Sequence, residues 1–288
     1  LANNKRDLIA AAFALNEGGG GDTDGKGHIV VQSIQVGEKI AQDYKLVATN
    51  PGGHSSQPVR DNAIYAMSDA LLNIREHEFP AEFSDTTRVF FERAGAARKD
   101  ALGPAMVALV KDPNDAKAAA VVNTDKAFHS MLRTTCVATM IEGGHAVNAL
   151  PQRVGANVNC RIFPGHTPAE IKDQLTNVIG NPDISIELAR KDKPLAKTPP
   201  LDPAIIGPME KLSAKYFPGV PVIPSMSTGA SDGLYMSAVG IPTYGVPGAW
   251  GDPDGNGVHG LNERLEVRSV YVGRDYLFDL VKALAQVP

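Results

Sequence analysis

Two short stretches of this chain carry residue types able to act on a bond. The first is ALNEGGGGD, Ala14 to Asp22, where one acid, Glu17, precedes four glycines. Three readings compete for it: a phosphate cradle, a plain loop or linker, or bare backbone giving room to Glu17. As a phosphate loop, Gly20-x-x-x-x-Gly25-Lys26 needs Ser or Thr next to reach magnesium, and Gly27 stands there. A phosphate loop must also open a helix whose N-terminal amides bind the anion. HIVVQSIQV follows instead, a β-branched run that predicts a strand. The nucleotide reading therefore fails on its context. A carboxylate at the mouth of an apolar strand can project into the cleft where open α/β sheets place their ligands, and a metal ion is one partner it would accept.

The second stretch is Gly229-Ala230-Ser231-Asp232-Gly233, which fits the G-x-S-x-G nucleophile elbow. His259 lies downstream, with Asp252 and Asp254 between, so the order Ser, acid, His is available. The context is weak, because an elbow needs a strand running into the serine and PSMST reads as a poor one. The two acids also sit in a Gly/Pro/Asp-rich loop, whereas a triad acid must be held firmly against its histidine. His259 itself stands in GVHGLNE, where flanking glycines and a nearby acid suit a ligand as well as a surface residue.

The elements that must position these residues follow from periodicity and breakers. Ala10–Leu15 reads as a short buried strand, His28–Val36 as a second and Tyr44–Asn50 as a third. Asp61 is placed to cap a helix burying Ile64, Met67, Leu71 and Ile74. RVFFE, residues 88–92, reads as a strand, and 94–123 as helical with breaks at Pro104 and Pro113. Strands are expected over 134–142 and 154–162. Thr167-Pro168-Ala169-Glu170 is a capping box with proline at the first helical position. Its helix buries Ile171, Leu175 and Val178 and stops at Gly180; 183–188 alternates as a strand, and Ser269 caps a last amphipathic helix to Leu284. The middle segment has the element order of an α+β unit with helices on one face of an antiparallel sheet. It interrupts one α/β domain, giving expected limits of 1–44, 45–163 and 164–288.

Bulk properties exclude several classes. A net charge of −4 without any Lys/Arg run leaves no electrostatic footprint for nucleic acid. No apolar stretch approaches the roughly 20 residues of a membrane helix, so a soluble protein, cytoplasmic or periplasmic, is expected. Cys136 and Cys160 are too few for a disulfide framework and match no metal spacing, so both read as buried apolar-type residues. The chain opens LANNKRD, without Met or signal pattern, and reads as part of a longer product.

Six segments in order, ALNEGGGG, GGHSSQP, GGHAVNALPQ, CRIFPG, STGASDG and GVHGLNERLEV, give the chain a wider likeness. It resembles, over nearly its whole length, the co-catalytic zinc hydrolases that include aminoacylase, succinyl-diaminopimelate desuccinylase and the glutamate carboxypeptidases, metallopeptidase family twenty. The resemblance implies a zinc-exopeptidase-like α/β catalytic domain interrupted by a ferredoxin-like α+β lid or dimerisation domain. It implies two zinc ions, a homodimer formed through the lid, and a peptide or N-acyl amino acid with a free carboxylate as substrate. Glu17 and His259 would then be metal ligands. His54 would steady the scissile carbonyl in the partner subunit's active site. Asn148 and Arg161 would hold the substrate's backbone and carboxylate. Gly229 and Ser231 would line the carboxylate end, making Ser231 a binding residue and not a nucleophile.

These residue types suit the chemistry. Paired zincs lower the pKa of a shared water and polarise an amide carbonyl, a carboxylate base shuttles the proton, and an Arg fork matches a carboxylate. The family's His-x-Asp motif, bridging Asp and Glu-Glu pair lie upstream of the LNEGG segment and are not in this sequence. The expectation is that this polypeptide alone lacks a competent dinuclear centre and is inactive by itself. Two other classes stand beside this one: a non-catalytic dimerisation or binding module, and a serine hydrolase using Ser231.

Overall fold

A computed structural model describes residues 2–23, 26–189, 193–246, 248–252, 257, and 260–285. In chain order, the first segment carries β1 (Ala14–Asn16), β2 (Gly20–Thr23) and β3 (Ile29–Glu38). β4 (Ile40–Thr49), β5 (Gly53–His54) and α1 (Ala63–Glu76) follow, then four helices, α2 (Asp85–Ala97), α3 (Leu102–Lys111), α4 (Ala116–Val122) and α5 (Lys126–Met131). Next come β6 (Thr135–Gly143), β7 (Ala149–Leu150), β8 (Arg153–Ile162), α6 (Pro168–Ile179) and β9 (Ile184–Leu188). The last segment holds α7 (Pro203–Tyr216), β10 (Val222–Ser227), α8 (Gly233–Ala238), β11 (Thr243–Gly245), β12 (Trp250–Gly251) and α9 (Val267–Leu284).

These elements form two compact units. The first comprises Leu1–Glu38, Phe83–Met131 and Ala196–Pro288, the second Lys39–Glu82 and Leu132–Leu195. The limits depart from the expected 44/45 and 163/164, and pairing explains why. β4 is bonded to β8 along its whole length, from Ile40↔Ile162 to Thr49↔Arg153, so it cannot be divided at residue 44. β9 lies on the other side of β4, and α6 packs against α1, which draws 164–195 into the second unit. α2 packs on β10, with Arg93 Nη1 donating to the Val222 carbonyl at 3.0 Å, and takes 83–131 into the first.

The first unit is built on a six-stranded mixed sheet in which β3 is central. β2 and β11 pair with it antiparallel and β10 parallel, while β1 extends β11 and β12 extends β2, both parallel. α7 and α9 bury Ile206, Met209, Tyr276 and Leu280 against Ile34, Val36, Tyr244 and Trp250 of this sheet.

The second unit is a four-stranded antiparallel sheet in the order β6–β8–β4–β9, with a small β5–β7 ribbon. Side chains alternate faces along a strand. Tyr44, Leu46 and Ala48 of β4 and Val158, Cys160 and Ile162 of β8 are buried on one face. α1 packs on that sheet, and the Tyr44 hydroxyl donates to the Pro168 carbonyl of α6 at 2.8 Å, so this is the helix-covered face. Ala41, Asp43 and Lys45, with Asn157, Asn159 and Arg161, fall on the opposite face.

Several local expectations change. RVFFE is inside α2, because a reciprocal Ser84/Thr87 cap starts a helix there, and Phe91 is buried edge-on against Phe83 and Phe128. Asn62, not Asp61, caps α1, accepting from the Ile64 N–H at 2.8 Å; the buried stripe is Ala63, Met67, Ala70 and Ile74. Ser269 lies within α9 and does not cap it: its hydroxyl accepts from the Trp250 N–H at 2.9 Å. α6 has the Thr167/Glu170 box and a left-handed Gly180, with Ile179 in place of Val178 among its buried residues. The apolar 10–15 run yields only the three-residue β1, which is half-buried. Cys136 and Cys160 are not independent core residues. They face each other across β6 and β8 with Cα atoms 4.1 Å apart and form a disulfide.

Lys39, at the entry to β4, is fully buried and donates to the Thr135 hydroxyl at 3.1 Å. Burial, then the neighbouring Arg161 and Arg133 charges, pushes it down to about 7. An unfolded lysine keeps its proton to about 10.4. Between these values the unfolded chain binds the extra proton, so this residue makes stability rise with pH; below 7 its full penalty stands. Denaturant midpoints measured across pH 6–10 should show that rise, and Lys39→Met should flatten it and stabilise the acid end.

Candidate functional site

In the first unit, the site grows from the end of β1. β1 runs parallel to β11, with Asn16 opposite Gly245, and delivers Glu17 exposed at its C-terminal end. The glycines after it have a steric cause. Gly18 and Gly19 adopt φ of +109° and +75°, which L side chains rarely take. A Cβ on Gly19 would sit 2.6 Å from the Ser33 carbonyl oxygen and 2.7 Å from that of Gly245. The chain therefore leaves β1 squeezed between β3 and β11, and only glycine fits. Gly20 and Gly21 then enter β2, so the run is part of the sheet and not a linker.

The opening beside Glu17 is lined by Asn16, Gln35, Glu38, Thr198 and Ser231. Asn16 Nδ2 donates to Ser231 Oγ at 3.4 Å, and the Gly233 N–H donates to the same oxygen at 3.1 Å. Gly229 stands on the same turn, its N–H donating to Ser227 Oγ at 3.0 Å. The structure thus brings Glu17 and Ser231 to one cleft, with Gly229 on the adjoining turn. It also runs a strand, β10, toward that turn, where the sequence alone suggested none. His259 and Asp254 lie outside the described residues; Asp252 lies 3.5 Å from Arg264.

Glu38 is the residue that sequence reading missed. It is only 8% exposed and lines the same cleft. Burial raises its pKa; the facing Ser231 hydroxyl and the Ser231 and Leu234 N–H groups oppose the shift, and the Glu17 charge adds to it. A signal was available: an acid closing a β-branched strand immediately after a glycine.

The fit to zinc rests on Glu17. Its carboxylate makes no hydrogen bond or ion pair with any described residue, which suits an oxygen ligand. Among the described residues, however, no three His, Cys, Asp or Glu side chains are gathered as a metal site. Glu17 can supply one ligand; a complete donor set needs others.

In the second unit, His54 and Asn148 meet on the β5–β7 ribbon. His54 pairs with Ala149, and the Ser55 N–H donates to the Asn148 carbonyl at 3.0 Å. The His54 ring is exposed, and its Nδ1 accepts from the Ser56 N–H at 3.2 Å and lies 2.8 Å from Ser56 Oγ. With Nδ1 held as acceptor, the neutral ring carries its proton on Nε2, as an outward donor. Arg161 stands on β8, on the face turned away from the helices. Its Nε donates to Asn159 Oδ1 at 3.2 Å, and its terminal nitrogens bond no described residue.

Comparison with known proteins agrees with this architecture. The peptidase dimerisation domain of the M20 peptidases matches residues 36–187. A probable carboxypeptidase S-like 2 of Dictyostelium discoideum is 25% identical over 253 residues, covering 88% of this chain and 48% of its own. The N-fatty-acyl-amino acid synthase/hydrolase PM20D1 of Mus musculus is 25% identical over 265 residues, covering 88% and 50%. The chain spans about half the length of the curated relatives it matches. Among solved structures, the M20 metallo-carboxypeptidase Sso-CP2 of Sulfolobus solfataricus superposes with a TM-score of 0.66 at 17% identity, over 98% of this chain and 65% of that one. A tripeptidase of Staphylococcus aureus gives 0.56 at 16% identity, over 98% and 60%.

The glycine constraint is directly testable. Both Gly19→Ala and Gly144→Ala should cost about 1–3 kcal/mol through backbone strain, since both have positive φ; chemical denaturation should show a larger loss for Gly19→Ala, whose Cβ also meets two carbonyl oxygens, than for Gly144→Ala, whose Cβ meets open space. The dimerisation-domain match covers more than half of the sequence, and the chain belongs to the M20 peptidase family.

Proposed function

We propose that this chain is part of a zinc-dependent amide or peptide hydrolase whose substrates are peptides or N-acyl amino acids with a free carboxylate. The observation that carries the reading is Arg161. Its guanidinium is tethered through Nε, while its terminal N–H groups are left without partners among the described residues. A planar fork in that state suits bidentate capture of a carboxylate. The relatives' names support the substrate class, being a probable carboxypeptidase and an N-fatty-acyl-amino acid synthase/hydrolase.

Roles for the remaining residues follow from their chemistry. Glu17 would hold zinc together with His259 and ligands beyond these two; bound zinc supplies an activated water and polarises the amide carbonyl. His54 would donate its Nε2–H to the carbonyl oxygen as charge develops there, acting in the partner subunit. Asn148 would orient the substrate backbone. Ser231 and Gly229 would line the carboxylate end, with the Ser231 hydroxyl engaged by Asn16 and Gly233.

A homodimer through the second unit is supported by its sheet edge. β6 is an outer strand, and Val137, Met140 and Ile141 on it are each at least 60% exposed. An unpaired apolar edge of this kind is a template for pairing with another chain. No helix among the described residues is long and apolar enough to cross a membrane.

Metal dependence tests the central part. In the full-length protein, a chelator should abolish amide hydrolysis and added zinc should restore it, while Ser231→Ala retains activity within about tenfold. Activity that survives chelation, together with covalent labelling of Ser231 by a fluorophosphonate, would overturn the proposal in favour of a serine hydrolase.

A further inference from the structure

Arg161 ends a polar ladder that no catalytic role assigned above explains. β4 and β8 pair antiparallel so that Asp43 stands directly opposite Asn159, and Asn157, Asn159 and Arg161 follow one another on the same sheet face. Along that face the bonds converge on Asp43. Arg161 Nε donates to Asn159 Oδ1 at 3.2 Å, and Asn159 Nδ2 donates to Asp43 Oδ1 at 2.9 Å. Asn157 Nδ2 also donates to Asp43 Oδ1, at 3.1 Å, and lies 2.7 Å from Thr139 Oγ1, which accepts from it.

The two ends of the ladder fix the Asn159 amide. Guanidinium nitrogens only donate and the Asp43 oxygen accepts, so Oδ1 must face Arg161 and Nδ2 must face Asp43. Flipping the amide would set N–H against N–H at one end and oxygen against oxygen at the other. Asn159 is therefore a one-way connector, and its orientation is set from Asp43.

We infer that Asn159, and Asp43 through it, are positioning residues that hold the Arg161 guanidinium with its two terminal nitrogens presented to a substrate carboxylate. The inference rests on the proposed role of Arg161 and adds a mode of binding. With Nε occupied, the carboxylate must meet the fork end-on, through Nη1 and Nη2, and not side-on through Nε. An arginine side chain has several rotatable bonds to freeze; tethering it before substrate arrives leaves less of that entropy to be lost on binding.

The test uses the full-length protein, with N-acetyl-L-methionine and its carboxamide as probes. In the wild type, the Arg161 Nε–H should give a resonance protected from solvent exchange, and the acid should bind at least tenfold more tightly than the amide. Asn159→Leu should remove the protection and reduce the acid-over-amide ratio by about tenfold. The paired change Asn159→Asp with Asp43→Asn rebuilds the ladder, because the carboxylate then at the middle position accepts from both neighbours, and should restore both readouts. A merely structural role would not be rescued in the ratio. If Asn159→Leu leaves the Nε–H protection and the ratio as in the wild type, the positioning inference falls. Should Arg161→Ala itself retain the acid preference, the carboxylate-binding role falls, and the inference with it. Loss of the preference in Arg161→Ala but not in Asn159→Leu overturns only the positioning.

Discussion

The ten-residue antiparallel pairing of β4 with β8 is the constraint on which the second unit depends. Because side chains alternate, one register decides which residues are covered by helices and which carry polar chemistry. Tyr44, Leu46, Val158 and Ile162 go under α1 and α6, while Asp43, Asn159 and Arg161 go to the open face. A one-residue slip of β8 would turn Arg161 under the helices and Val158 and Ile162 out. The Cys136–Cys160 bridge ties β6 to β8 in the same alignment, on the covered face. Lys39 at the head of β4 and Arg161 at the end of β8 then fall close enough to repel, which concentrates positive charge near the fork.

The first unit solves a different problem: how to bring an acid to a cleft edge through a crowded sheet. β1 is three residues long, and the chain must turn at once between β3 and β11. Gly18 and Gly19 make that passage in conformations other residues avoid. What results is a carboxylate with no hydrogen bond or ion pair to a described residue, beside a second, buried acid, Glu38, held against the Ser231 turn. Among the described residues Glu38 is engaged by the Ser231 turn, while Glu17 stands exposed at the strand end.

Much of this was legible in the sequence. β3, β4, β6, β8 and β9 were marked by β-branched or alternating residues, and α6 by its cap and terminal glycine. Reading failed where a signal was reciprocal or long-range. Ser84 and Thr87 cap each other without the usual Glu or Gln, so the aromatic run behind them passed for a strand. The two cysteines gain meaning only from a cross-strand register that no local pattern reports. The compact units differ from the expected limits because β9 joins its sheet from beyond the capping box, and the 83–131 helices pack in the other unit. The site residues came from motif likeness; the Asp43–Asn159 ladder behind Arg161 came only from the pairing of distant strands.

In the function proposed, Arg161 is the receptor for a substrate carboxylate, its Nε tethered to Asn159. A crystal structure of the full-length protein with an N-acetylated amino acid bound would test it most directly. The carboxylate should lie within about 3 Å of Arg161 Nη1 and Nη2, with Nε still on Asn159. A ligand carboxylate seated on other residues, with the Arg161 fork turned to solvent, would contradict it.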